Sequence, residues 1–118
     1  MKNKFLYLFF LLFLLGSCSN NSCKDLPETF LDYETAITQI RNTSFTTSDE
    51  FTNDSWISKA EYYSCDGNSG FCIIEMNSRE YIYDNMPIEV WENFKAADSK
   101  GRFFNRQIKH RYNFSKVQ

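Results

Sequence analysis

At 118 residues with a formal net charge of −2, the chain has room for one domain, and its overall charge gives it no general attraction to nucleic acid. Twelve Phe, seven Tyr and two Trp can build a small core without a metal, since each buried aromatic removes about 150–250 Å² from water. The charge is uneven: residues 95–118 hold seven basic side chains and one acid, against four basic and 14 acidic in residues 18–94, so the molecule has a basic end.

Residues 1–17 read as a targeting segment. Lys2 and Lys4 precede an unbroken apolar run from Phe5 to Leu15, too short for a bilayer span of about 20 residues and suited to a signal-peptide apolar region. Leu15-Gly16-Ser17-Cys18 then resembles the lipobox of bacterial lipoproteins. That resemblance implies cleavage before Cys18 and a diacylglycerol group on its thiol. The membrane is then a partner through the lipid anchor, and the protein sits on the cell membrane or outer membrane, outside the cytoplasm. Ordinary signal-peptidase cleavage after Ser17 would put bulky Leu15 where small residues are preferred. Several acyl chains on one residue hold a membrane stably where one does not. Residues 18–31 are expected as a tether, small and polar from Ser19 to Lys24.

Cys23, Cys65 and Cys72 remain, an odd number in an oxidising compartment, so at least one stays free or pairs between chains. Cys65 and Cys72 flank Asp66-Gly67-Asn68-Ser69-Gly70-Phe71, whose Gly, Asn and Asp suit a hairpin turn. They are expected to face each other across two strands, as a disulfide or as two buried thiols; a symmetric turn would give them a hydrogen-bonded register that favours the thiols. With His110 as the one histidine and no close cysteine pair, zinc spacing is lacking. No metal and no cofactor are expected.

Residues 32–55 are expected to form a short helix and a polar loop. Asp32 can cap a helix over about 33–41, whose Tyr33, Ala36, Ile37 and Ile40 keep the 3.6 period, with Leu31 set to staple onto Ala36. Asn42 to Ser55 is rich in Ser, Thr, Asn and Asp and reads as loop or irregular extended chain. Trp56–Tyr63, Phe71–Met76 and Glu80–Tyr83 read as three short antiparallel strands. Pro87 then opens a helix with Ile88, Trp91 and Phe94 on one stripe, ending near Asp98. Gly101 is expected to supply left-handed geometry in the turn. A second helix carries Phe104, Ile108 and Tyr112 at i, i+4, i+8. The fold class is therefore α+β: a short three-stranded antiparallel sheet packed by two C-terminal helices, plus a short N-terminal helix.

Tyr81-Ile82-Tyr83, Met86-Pro87, the run from Trp91-Glu92-Asn93-Phe94 to Ser99-Lys100-Gly101, and Phe103-Phe104-Asn105 through Ile108 to Tyr112 occur in the order found in the KTSC domain. The stretch from about Trp56 to Phe114 resembles that family, a small module met at the C-terminus of some lysyl-tRNA synthetases and alone in bacterial and phage proteins. Residues 56–116 are expected to be that domain. Met86 stands where the family pattern usually has Val. The resemblance implies no established activity, and RNA binding rests on the synthetase association alone.

Three kinds of chemistry are open to these residues. Arg102, Arg106, Lys109 and Arg111, interleaved with aromatics, could track phosphates while rings stack on bases. Against that, Phe104, Ile108 and Tyr112 fall at core spacing, which leaves the basic residues solvated, free for solubility or for anionic headgroups near the anchor. His110 offers a base, but no nucleophile elbow, phosphate loop or metal motif frames it, so a hydrolase is the weaker alternative and no catalytic residue is assigned. Tyr81 and Tyr83 share one strand face and either line a binding groove or pack against a helix; packing is favoured. The expectation is a lipid-anchored, non-catalytic binding module with an envelope protein as partner. RNA or other nucleic acid is the alternative.

Overall fold

The computed structural model describes residues 21–118; the targeting segment and Cys18 lie outside the described residues. A two-residue strand β1 (Asn21–Ser22) pairs in parallel with β2 (Thr43–Ser44). The main sheet is an antiparallel meander of β3 (Thr47–Thr52), β4 (Ile57–Ser64), β5 (Ser69–Met76) and β6 (Arg79–Pro87), neighbours in that order. Helix α1 (Tyr33–Arg41) lies before the sheet, and α2 (Ile88–Ala96) and the single turn α3 (Lys100–Phe103) follow it.

The α+β class stands, but the sheet has four strands. Residues 47–52 escape a reading based on apolar alternation because Phe51 is their one large apolar side chain. Their half-buried positions are otherwise Thr47 and Asp49, and Asp49 points inward to make a hydrogen bond.

Two cores form because β4 and β5 carry apolar side chains at both parities. Ile57, Ala60, Tyr62, Cys72, Ile74, Met76 and Met86 face α2 and the C-terminal turns, enclosing Trp91, Phe94, Phe104 and Ile108. Ile73 and Ile82 face the other way, toward Ala36, Ile37 and Ile40 of α1 and toward Phe30 and Phe114. The sheet is thus covered on both faces. Asp32 caps α1 as its position implies, accepting from Thr35 N at 2.7 Å. Leu31 makes no staple and is 69% exposed, while Phe30 beside it is buried.

The second C-terminal helix is shorter than its apolar stripe implies. After α3 the chain widens into a π turn over Phe104–Ile108 closed by Lys109 N donating to Phe104 O at 2.9 Å. His110 then takes φ 66°, which ends helical geometry, so Phe104 and Ile108 are buried from the helical turns while Tyr112 lies at a bend beyond them, half-buried against the core. Gly101 is not a left-handed turn residue either. It sits inside α3 and is buried, and a Cβ there would fall 2.6 Å from Trp56 Nε1. Glycine is required by the indole lying across it.

The expectation that Cys65 and Cys72 face each other, bonded or as two thiols, is corrected: Cys65 is bonded to Cys23, with Cα atoms 5.8 Å apart, and Cys72 alone is a buried free thiol. Register decides this. Cys72 pairs with Tyr62, three residues short of Cys65, which belongs to the hairpin loop. Asp66 Oδ1 organises that loop by accepting from Asn68 N (2.8 Å) and Ser69 N (3.1 Å), and Ser64 Oγ accepts from Gly67 N. Gly67 takes φ 77°.

Candidate binding surface at the free edge of β6

β6 is an edge strand. On its outer side Asp84 N–H donates to Tyr112 O at 2.9 Å, and Tyr83 bridges Asn113 in antiparallel sense. Successive residues of a strand direct their backbone groups to alternate edges. Glu80 therefore shares the outward side with Asp84, on a stretch that the C-terminal segment does not reach.

A groove of about 460 Å³ runs along this edge, lined by Tyr33, Glu80, Tyr81, Ile82, Tyr83, Asn113 and Phe114. Tyr33 is 56% and Tyr81 42% exposed. A second groove of about 610 Å³ meets it at Tyr33 and Glu80 and continues along α1 past Ile37 and Arg41 to Arg79. The surface is aromatic at one end and charged at the other. It suits an extended segment whose apolar side chains rest on the tyrosine rings.

The two tyrosines of the strand part company. Tyr83 packs edge-on against Phe104, ring centroids 5.8 Å apart, and burial pushes its hydroxyl up to about 12. Tyr81 is left to the groove. Arg102, Arg106, Lys109 and Arg111 are all exposed, and among the described residues none is in an ion pair. They spread over α3, the π turn and the chain beyond it.

Arg41 fixes the charged end of the surface. Its guanidinium grips Glu61 through Nε–Oε1 (3.0 Å) and Nη2–Oε2 (2.5 Å) and also donates to both carboxylate oxygens of exposed Glu80. Tyr63 Oη donates to Glu61 at 2.6 Å. Burial pushes the Glu61 carboxyl up, but the hydrogen bonds from Arg41 and Tyr63 more than offset this and hold it below its ordinary value. The polar residues that α1 and β4 bring together were not foreseen, and the buried Glu at the centre of a strand was the available signal.

Among the described residues, no three of His, Cys, Asp and Glu cluster as metal ligands. His110 is exposed, and burial pushes the Cys72 thiol well up, away from the thiolate a nucleophile needs.

The strand, proline-started helix and Trp56-covered turn that frame this surface carry the motif order quoted from the sequence. Residues 74–112 match the KTSC domain family. The KTSC match covers the second part of β5, all of β6, α2, α3 and the π turn, and so includes Tyr81, Tyr83, Arg102, Arg106, Lys109 and Arg111. Tyr33, Arg41, Glu61 and the disulfide lie outside it. The crystal structure of a KTSC domain protein from Yersinia pestis is similar at 27% identity, covering 61% of this chain and 100% of that one, with a TM-score of 0.49. No curated protein matches the chain.

Proposed function

We propose that the protein is a lipid-anchored, non-catalytic module of the cell envelope that binds an extended, apolar-bearing segment of an envelope protein along the edge of β6. The observation that carries this is the groove at that edge, where Tyr33 and Tyr81 remain 56% and 42% exposed although neighbouring aromatics are buried. Exposed aromatic side chains around a groove offer large contact area at small entropic cost, as binding surfaces require. Envelope location rests on the apolar run and the Leu15-Gly16-Ser17-Cys18 sequence.

The test is photocrosslinking in the native membrane from an unnatural amino acid at position 81, with position 50 on the opposite edge strand as control. A discrete adduct from 81 and not from 50 supports the proposal; equal or absent adducts from both overturn it. Acyl mass on Cys18, lost in Cys18→Ser, tests the anchor separately.

RNA binding is the second reading, favoured by the exposure of Arg102, Arg106, Lys109 and Arg111 without ion-pair partners among the described residues. It ranks lower because export removes the protein from most RNA.

A further inference from the structure

The disulfide joins the start of the described chain to one end of the sheet. Cys65 sits in the β4–β5 loop. At the same end are the start of α2, where Ile88 N donates to Asn68 O at 2.9 Å, and Thr46, whose Oγ donates to Cys65 O at 2.7 Å. β4 then runs eight residues away from this loop, about 25 Å at 3.3 Å per residue. At its far end stand Ile57 and, just before it, Trp56, which meets Gly101 and packs edge-on against Phe104 at 6.1 Å. α2 starts at the loop end and its nine residues carry the chain about 13 Å toward the other, to Lys95, whose carbonyl accepts from Lys100 Nζ at 2.7 Å. The sheet therefore has a disulfide end and an opposite end that carries Trp56, Lys100 and Arg102.

From this geometry, and resting on the lipid-anchor reading above, we infer that the Cys23–Cys65 disulfide determines which end of the domain faces the bilayer: the β4–β5 loop is membrane-proximal, and the Trp56–Arg102 end is directed outward. Cys23 lies five residue steps beyond Cys18, which cannot span more than about 18 Å. That is shorter than the roughly 25 Å length of β4, so the domain cannot turn head-down while the disulfide holds. Without it, the two-residue β1–β2 ladder is too short to hold the segment alone, and the next fixed point is Phe30, buried and bonded to Lys116 O at 2.7 Å. Twelve residues from Cys18 reach about 40 Å, enough for either orientation. This places Arg102 away from the lipid headgroups, while the chain beyond the π turn comes back toward the disulfide end, where Tyr112 O accepts from Asp84 N and Lys116 pairs with Asp84. The loop end mixes exposed Asp66, Glu89, Lys24 and half-buried Lys116, with no excess of cations to bind an anionic surface.

The test uses the processed, full-length lipoprotein reconstituted in vesicles of phosphatidylethanolamine and phosphatidylglycerol carrying a headgroup-attached quencher. A fluorescent unnatural amino acid is placed at Asn68 or at Ser99, on opposite ends. The expected result is loss of fluorescence at 68 with none at 99, and disappearance of that contrast after dithiothreitol. Circular dichroism checks that the reduced domain stays folded. Should reduction unfold it, insertion of ten Gly/Ser residues after Asn20 lengthens the tether with the disulfide intact and must abolish the contrast in the same way. Equal quenching at both positions in the oxidised protein, or a contrast that survives the insertion, overturns the orientation. If the protein lacks acyl mass and does not float with vesicles, the anchor reading falls and the orientation with it.

Discussion

Asp49 on β3 and Trp91 on α2 are joined across the sheet–helix interface: the indole Nε1 donates to Asp49 Oδ2 at 3.0 Å, and Lys95, one turn later, donates to the same oxygen at 2.6 Å. The indole is fully buried, stacked on Tyr62 (5.3 Å, 12°) and Phe51 (5.4 Å, 28°). Trp91→Ala removes a ring from a closed core and should cost about 3–5 kcal/mol, a large part of a small domain's stability. Asp49→Ala leaves the indole N–H without its acceptor and should cost about 1–3 kcal/mol. The Lys95 ammonium, with the indole N–H, holds the Asp49 carboxyl below its ordinary value. Its contribution is therefore present above about pH 4 and lost as pH falls through the folded value. Urea midpoints for Asp49→Asn, which keeps an acceptor oxygen, should depend less on pH below 4 than those of the wild type; an equal dependence would assign the acid sensitivity elsewhere.

Cys23 and Cys65 close a loop spanning 42 positions, for which chain entropy gives up to about 4 kcal/mol of stabilisation. Peptide mapping without reduction should return the 23–65 pair and an unmodified Cys72. Cys72 should react with a maleimide only after denaturation, since it is fully buried. Recovery of a 65–72 pair would contradict the register.

Sequence patterning made α1, α2 and the strands β4, β5 and β6 legible because their stripes are apolar: Ala36, Ile37 and Ile40, then Trp91 and Phe94, and the run from Phe71 to Met76 behave as periodicity requires. It missed β3 because that strand uses a carboxylate where a core strand uses an apolar side chain. It missed the disulfide because the β4–β5 loop holds four residues, and loop length, not the cysteine spacing, sets which strand positions oppose. The free tyrosine of the candidate groove was in view as one of the pair Tyr81 and Tyr83. Which of the two stayed exposed depended on where Phe104 came to rest.

Gly101 and Trp56 form a contact that one methyl group would disrupt. In Gly101→Ala the indole must move, and at 42% exposure it has room to do so at the cost of its packing on Phe104. A loss of about 1–3 kcal/mol, as for overpacking, and a red shift of Trp56 emission are expected. In Trp56→Ala the same glycine substitution should cost much less. A double-mutant cycle with no coupling would refute the contact.

Arg41→Ala strands Glu61, whose side chain is 8% exposed, with Tyr63 as its remaining side-chain partner. The loss should be about 1–3 kcal/mol at neutral pH. In the wild type the folded Glu61 pKa is depressed, so its contribution is lost as pH falls. In the variant, burial dominates and raises it, so the neutral acid is favoured and the deficit relative to wild type should shrink on acidification from pH 7 toward 4. Thermal melts of both proteins across that range test this, and a deficit that does not change with pH would mean that Arg41 acts by packing alone.

The basic residues Arg102, Arg106, Lys109 and Arg111 separate the two functional readings. They are exposed without ion-pair partners among the described residues, but of the rings beside them Phe104 is buried in the core and Phe103 and Tyr112 are half-buried against it, which leaves little face for a base to stack on. Phosphate contact alone would leave an affinity governed by salt, with a log–log slope of roughly −0.7 per neutralised phosphate for single strands. Titration of the mature chain with single-stranded RNA should therefore give weak binding that disappears by about 150 mM salt, changed little by sequence. Tight binding that persists there and weakens in an Arg102→Ala, Arg106→Ala variant would put nucleic acid ahead of the protein segment proposed for the β6 edge. Tyr33→Ala discriminates from the other side, because Tyr33 belongs to the groove and not to the basic segment: it should abolish the envelope crosslink from position 81 while leaving any residual RNA affinity unchanged.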